Sequence, residues 1–316
     1  MSEKTNSWKT SVKGGEYRRK DSQFRHWIST DGSGDFAAEA NRYHLYVSLA
    51  CPWAHRALIF RKLKELESLI DVSVVHPDLL ENGWSFDTDY PGTTGDKLYG
   101  VSHLKELYYK ADPHYDGNFT VPMLWDKKTQ TIVNNESAEI IRMFNSAFDG
   151  ITGNTLDYYP KSLREDIDTI NQRVYHDINN GVYKTGFATS QAAYEKHFDA
   201  LFAALDEIEQ RLGQQRYLVG AHITEADWRL FTTLVRFDAV YVGHFKCNLR
   251  RIADYPNLSN YLRDLYQQPG IAETTDIPFI QRHYYFSHKH INANQVVPKG
   301  PELHLDAPHD RGRLSA

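Results

Sequence analysis

The spacing of apolar residues changes character about halfway along the chain. In the first half, short β-branched and aromatic runs alternate with helix-forming stretches. YHLYVSLA (43–50) reads as a strand, 52–67 as a helix with Leu58, Leu63 and Leu66 inward, and DVSVVH (71–76) as a second strand. A polar insertion of roughly 77–118 follows, broken by Gly83, Pro91, Gly92 and Gly95. VPMLWD (121–126) and TIV (131–133) are short strands around a Lys-Lys turn, and ESAEIIRMFNSAF (136–148) predicts a helix with Ile140, Ile141 and Phe144 on one face. The order β-α-β, then β-β-α, describes a small mixed sheet with helices packed on it.

After Gly150 the strands give way to helical periodicity. Ile167, Ile170, Val174 and Ile178 step by 3, 4 and 4. Tyr194, Phe198, Leu201, Leu205, Ile208 and Leu212 do the same, with Gly213 as the expected C-terminal stop. Thr224 is placed to cap a further helix, with Asp227 reaching back to it. The expected organisation is an N-terminal arm (1–40) pinned by Phe24, Trp27 and Ile28, an α/β domain (41–148) and a linker (149–160). An all-helical domain (161–290) and a C-terminal tail (291–316) complete it. A chain of 316 residues suits two domains, because single cores stop growing at roughly 250–300 residues.

Composition narrows the chemistry. A net charge of −5 gives no polyanion-binding surface, so no nucleic-acid partner is expected. No stretch approaches the ~20 apolar residues of a membrane span, and the polar N-terminus has no apolar signal core. Two cysteines, Cys51 and Cys247, make no disulfide framework and suit reduced thiols in the cytoplasm. Fifteen histidines, among them His283, His288 and His290, form no ligand motif with a cysteine pair, and no metal is expected.

The one local arrangement that implies reactivity is YHLYVSLACPWAHRAL (43–58), with Cys51 at the joint of strand and helix. A helix entry offers free N–H groups and a partial positive charge, both of which favour thiolate over thiol. The pKa is therefore expected below the ~8.5 of free cysteine. Free cysteine is often plain packing, but Pro52 suits the first helical position and completes a strand–Cys–Pro–helix pattern. Ala54 stands where a redox pair would have its second thiol. Resolution then needs an external thiol and a mixed-disulfide intermediate. Two further stretches agree. In Phe119-Thr120-Val121-Pro122 a cis bond would leave Val121's backbone open to an extended peptide, whereas a trans bond would mark only an edge strand. Asn135-Glu136-Ser137 is either a simple helix cap or a clamp for carboxylate and ammonium. Thiol, proline edge and clamp together fit a small zwitterionic thiol peptide such as glutathione.

At these residues the chain resembles the cytosolic glutathione transferases, and more narrowly the Xi class, the glutathionyl-hydroquinone reductases. YHLYVSLACPWAHR (43–56), GWSF (83–86), TVPMLWDKK (120–128), TIVNNESAEIIRMFN (131–145), NNGVYKTGFATSQAAYE (179–195), TEADWRLFTTLVRFDAVYVGHFKCN (224–248) and HYYFSH (283–288) carry the likeness. The resemblance implies an α/β thioredoxin-like N-terminal domain followed by an all-α glutathione-transferase-type C-terminal domain. It implies removal of glutathione from glutathionyl-hydroquinones, with glutathione as co-substrate, and a homodimer. Carried over by motif, Cys51 is the nucleophile and Tyr183 the proton donor, while Tyr241 and Tyr284 point at the sulfur or the quinone oxygens. Trp84, Asn118, Phe119, Thr120, Val121, Glu136 and Ser137 face glutathione. Where the family commonly has Gly-Arg-Val, this chain has Gly117-Asn118-Phe119, so a guanidinium contact is lost or replaced by an amide. Two alternatives stand beside this reading: an omega-like thioltransferase or dehydroascorbate reductase, and a non-catalytic ligand-binding module.

Overall fold

The computed structural model describes residues 12–315, which gather into two compact units. The first holds Lys20–Asp157 and Thr274–Ser287; the second holds the described residues of Trp8–Arg19, Tyr158–Glu273 and His288–Ala316. The domains expected from the sequence follow one another in chain order. Here the units interleave, so a segment from each end of the chain is assigned away from its sequence neighbours.

Four two-residue strands come first. β1 (Val12–Lys13) pairs antiparallel with β2 (Glu16–Tyr17), and β3 (Ile28–Ser29) parallel with β4 (Phe36–Ala37). Ile28 is buried as expected and Phe24 half-buried, but Trp27 is 48% exposed and pins nothing. The main sheet has β5 (Tyr43–Val47), β6 (Asp71–Val74), β7 (Met123–Asp126) and β8 (Thr131–Asn134) in the order β6-β5-β7-β8. β5 runs parallel to β6 and antiparallel to β7, which pairs antiparallel with β8. All five residues of β5 are buried, because both faces of this central strand are covered. It ends three residues earlier than expected: the Ser48 hydroxyl accepts from the Ala50 N–H and its carbonyl from the Cys51 N–H, turning the chain into the helix. Arg42 ties the ends of the two central strands, β5 and β7, donating to both Asp126 oxygens at 3.0 and 2.7 Å.

α1 (Pro52–Leu63) packs on α3 (Ser137–Ser146). α1 stops before 67, since Glu65 takes a left-handed φ of 55°. Its core contacts come from Trp53, Ala57, Ile59 and Phe60; Leu58 and Leu63 are only half-buried, and Leu66 is buried from the following turn. The insertion read as polar contains a helix, α2 (Leu104–Ala111). His103 and Glu106 form its capping box, and Leu104, Leu107 and Tyr108 are its buried face. α4 (Asp149–Thr152) is a single turn. The helix Ile277–Ser287 completes this unit and is fastened at one end. Arg282 donates to both oxygens of Asp78 at 2.8 and 2.7 Å, and the Leu79 N–H donates to Ser287 Oγ at 2.9 Å.

The second unit is helical: α5 (Arg164–Arg173), α6 (Gly181–Gly186), α7 (Gln191–Gln214), α8 (Glu225–Arg236) and α9 (Pro256–Tyr266). π-helical turns at Val174–Asn179 and Phe237–Tyr241 extend α5 and α8. The capping box at Thr224 and Asp227 forms as read from the sequence. Gly213, however, is not the stop of α7. It lies inside the helix where a Cβ would sit 3.3 Å from Asn257 Nδ2, and the cap is Gln215. The cation that closes α7 comes from the C-terminal tail. Arg311, fully buried, donates to the carbonyls of Leu212, Gln215 and Arg216 at 2.6–2.7 Å. Among the described residues no helix is long and apolar enough to cross a membrane.

Candidate active site

Cys51 is the N-cap of α1, with φ −76° and ψ 119°, and Pro52 fills the first helical position. Its carbonyl accepts the first helical bond from the His55 N–H at 2.9 Å. No acid lies in the first turn, so the positive pole of the helix is not offset there. The sulfur is half-buried, and its thiol donates to the Val121 carbonyl at 3.4 Å. The Val121–Pro122 bond is cis. One turn further along α1, the buried Arg56 guanidinium lies 4.6 Å from the Trp53 ring and donates to Ser137 Oγ at 3.5 Å. Trp53 and Trp125 are both buried, as expected of core residues.

The 118–121 segment hangs from two phenols. The Tyr108 hydroxyl donates to the Thr120 carbonyl at 2.7 Å and accepts from the Thr120 N–H at 3.2 Å and from Asn135 Nδ2 at 3.1 Å. Tyr115 donates to the Asn118 carbonyl at 2.9 Å. Gly117 makes that possible: a Cβ there would lie 2.6 Å from Tyr115 Cζ. The Phe119 ring is enclosed by Tyr108, Tyr109 and Tyr115 at 5.3–5.8 Å, so only its backbone is left to face a ligand. Asn118 is half-buried.

Glu136 caps α3, its Oε1 accepting from the Ala138 N–H at 3.0 Å, while Oε2 accepts from Ser22 Oγ at 3.3 Å. Ser137, 3% exposed, opens the helix. Trp84 is buried and stacks on His283, centroids 5.0 Å apart and planes 23° apart. His283 Nδ1 faces the Pro77 carbonyl at 2.7 Å; an acceptor there puts the proton on Nδ1 and fixes the ring that backs Trp84. Tyr284, 1% exposed, meets His283 edge-on at 5.1 Å.

In the helical unit, Tyr183 on α6 and Tyr241 in the second π-helical turn meet edge to face at 6.2 Å. Phe245 stacks on Tyr241 at 5.5 Å and lies 5.5 Å from Tyr183. This cluster depends on Gly186, where a Cβ would fall 2.2 Å from Phe245 Cγ. Cys247 is fully buried, and that burial pushes its thiol well above the ordinary value. His288 belongs to the same unit, its Nδ1 3.1 Å from His244 Nε2. Among the described residues no three His, Cys, Asp or Glu side chains gather as metal ligands.

Each unit thus brings several expected residues together: Cys51 with Val121, Trp84 with the His283–Tyr284 pair from far along the chain, and Tyr183 with Tyr241. The supports Tyr108, Tyr115, Asn135 and His283 were missed. Tyr108 was findable, since Leu104, Leu107 and Tyr108 repeat at helical spacing behind a capping pair.

Residues 50–147 match the family model for the glutathione S-transferase N-terminal domain, and 191–264 that for its C-terminal domain. The glutathionyl-hydroquinone reductase YqjG of Escherichia coli is 58% identical over 96% of this chain and 94% of its own. The glutathionyl-hydroquinone reductase PcpF of Sphingobium chlorophenolicum is 51% identical over 92% of each. Among solved structures, glutathione-bound YqjG superposes with a TM-score of 0.90 at 57% identity, covering 92% of this chain and 96% of that one. The Xi glutathione S-transferase of Phanerochaete chrysosporium gives 0.90 at 52%, covering 94% and 96%. The chain belongs to the glutathione S-transferase family and, within it, to the Xi-class glutathionyl-hydroquinone reductases.

Proposed function

We propose that this protein removes glutathione from glutathionyl-hydroquinones through Cys51. The Cys51 thiolate attacks the glutathionyl sulfur and the carbon–sulfur bond breaks. The bonding pair goes to the ring carbon, which takes a proton from Tyr183 and leaves as free hydroquinone. Cys51 remains as a mixed disulfide with glutathione. A second glutathione thiolate attacks that adduct, giving glutathione disulfide and the Cys51 thiolate, and its proton restores Tyr183. Trp84, Asn118, Thr120, Val121, Glu136 and Ser137 hold the peptide, with the Phe119 backbone beside them. Tyr241 and Tyr284 stabilise the sulfur anion or the quinone oxygens.

The observation that carries the reading is a half-buried sulfur at the cap of an α1 whose first turn holds no acid, with an alanine in the resolving position. Cys247, buried with its thiol pushed up, is no substitute for that missing partner. The same reading has the enzyme working without a metal, as a homodimer in the reducing cytoplasm, where glutathione is the second thiol. Intact mass after incubation with glutathionyl-menadione should show one glutathione on Cys51, and Cys51→Ala should abolish turnover. An active Cys51→Ala enzyme overturns the mechanism. Robust turnover of a small glutathione mixed disulfide, without turnover of glutathionyl-menadione, identifies an omega-like thioltransferase instead.

A further inference from the structure

The hairpin β1–β2 is built onto the corner between α6 and α7. Gly14 and Gly15 turn the chain with φ of 59° and 84°, setting Val12 opposite Tyr17 and Lys13 opposite Glu16. Three contacts of different kinds fasten it. The Thr189 N–H donates to the Gly15 carbonyl at 3.1 Å. Gly15 passes so close to the cap of α7 that a Cβ would lie 2.6 Å from Ser190 Oγ. The Glu16 carboxylate meets Lys196 Nζ at 2.7 Å and His197 Nε2 at 3.8 Å.

This attachment brings in Tyr17. Its ring lies 5.4 Å from Phe187 and 6.3 Å from Tyr183. Burial pushes the Tyr17 phenol up from its ordinary value, so the ring is neutral. Phe245 at 5.5 Å, Phe187 at 5.9 Å and Tyr241 at 6.2 Å also surround Tyr183. Phe187 caps the end of α6, Tyr241 ends the second π-helical turn and Phe245 lies in the bend that follows, whereas Tyr17 comes from a separate segment, the hairpin.

We infer that Tyr17 is a positioning residue for Tyr183, the ring that the hairpin adds to a cage fixing the direction of the proton-donating phenol. The inference rests on the reading of Tyr183 as that donor. It separates two reactions of the same sulfur. Cleaving a carbon–sulfur bond leaves a ring carbon that must be protonated, whereas exchange with a disulfide asks nothing of Tyr183. Loosening the cage should therefore slow the first reaction alone, and in kcat rather than KM.

The test uses the full-length protein with two probes, glutathionyl-menadione and the mixed disulfide of glutathione with 2-mercaptoethanol. Tyr17→Leu removes the ring, Tyr17→Phe keeps it, and Gly15→Val dislodges the hairpin without touching Tyr17. Tyr17→Leu and Gly15→Val should lower kcat on glutathionyl-menadione about tenfold, within the ~100-fold that a 1 Å misplacement can cost. KM and disulfide turnover should stay within about twofold, and Tyr17→Phe should match the parent. Parallel losses on both probes, no loss in Tyr17→Leu, or equal losses in Tyr17→Leu and Tyr17→Phe would each overturn the inference. Tyr183→Phe tells the two failures apart. If it keeps full rate on glutathionyl-menadione, the donor assignment has failed and the inference falls with it; if it loses rate while Tyr17→Leu does not, only the inference fails.

Discussion

Replacing Tyr108 by phenylalanine removes one oxygen and tests whether the loop beside Cys51 is held from behind. That oxygen serves the Thr120 carbonyl, the Thr120 N–H and the Asn135 amide. Thr120 is half-buried, so water can replace the phenol on its backbone. Asn135 is 5% exposed and has no such recourse. One buried donor left unmet costs about 1–3 kcal/mol, and the net loss at the Thr120 carbonyl adds about 1 kcal/mol. The expected destabilisation is about 2–4 kcal/mol. If 1.4 kcal/mol of that must be recovered on ordering the loop around a ligand, glutathione binds about tenfold more weakly. Urea unfolding followed by tryptophan fluorescence, and calorimetric titration of glutathione into a Cys51→Ser background, measure the two quantities. A Tyr108→Phe protein with an unchanged unfolding midpoint and a Kd within about twofold would refute the claim that Tyr108 sets this loop.

Other outcomes follow from buried groups. His44, fully buried with Nε2 on Ser73 Oγ at 2.8 Å, is pushed down from 6.5 to about 4 by burial. Its neutral form is the folded one, so its contribution is complete above 6.5 and is lost as pH falls towards 4, by about 3 kcal/mol in total. His44→Gln should flatten the stability difference between pH 7.5 and pH 5 measured in urea, and an equal slope in both proteins counts against it. Native protein treated with iodoacetamide should gain one label, on Cys51, at a rate that rises with pH through a midpoint below the free-cysteine value. Labelling of Cys247 before denaturant is added would contradict its burial. Gly186→Ala drives a methyl into Phe245, at a cost of about 1–3 kcal/mol for overpacking. Glutathionyl-menadione turnover should drop with the melting temperature, and wild-type values for both would show that the ring moves aside freely.

The fold was legible where one local rule decided the outcome. Strand–Cys–Pro–helix identified the N-cap sulfur because capping and the φ of Pro52 are properties of adjacent residues. Thr224 and Asp227 were readable for the same reason. The misreadings came from distant contacts. Gly213 looks like a stop by its type, yet the end of α7 is set by Gln215 and by Arg311, almost a hundred positions later. Leu58 and Leu63 have the right period, but the neighbours of α1 bury Ile59 and Phe60 more completely. Trp27 is large and apolar and still lies in the open, since it precedes the two-residue strand β3 and no pleat obliges its side chain to turn in. In the candidate site, chemistry-bearing residues stood out by motif. Their supports stood out less: the spacing of Leu104, Leu107 and Tyr108 signals a helix, but that the Tyr108 phenol holds the Thr120 carbonyl is set by a contact across the fold.

The helix Ile277–Ser287 belongs to the sheet-bearing unit although more than a hundred residues of helical chain separate the two in sequence. Synthesis on a ribosome therefore delivers that unit incomplete. Asp78 waits for Arg282, Leu79 for Ser287, and the Trp84 face for His283, until nearly the whole polypeptide has emerged. Domains of multidomain chains ordinarily mature from the N-terminal end first. Here the sheet can form early, but its closing piece arrives late, so the wall behind Trp84 becomes available only to a nearly finished protein.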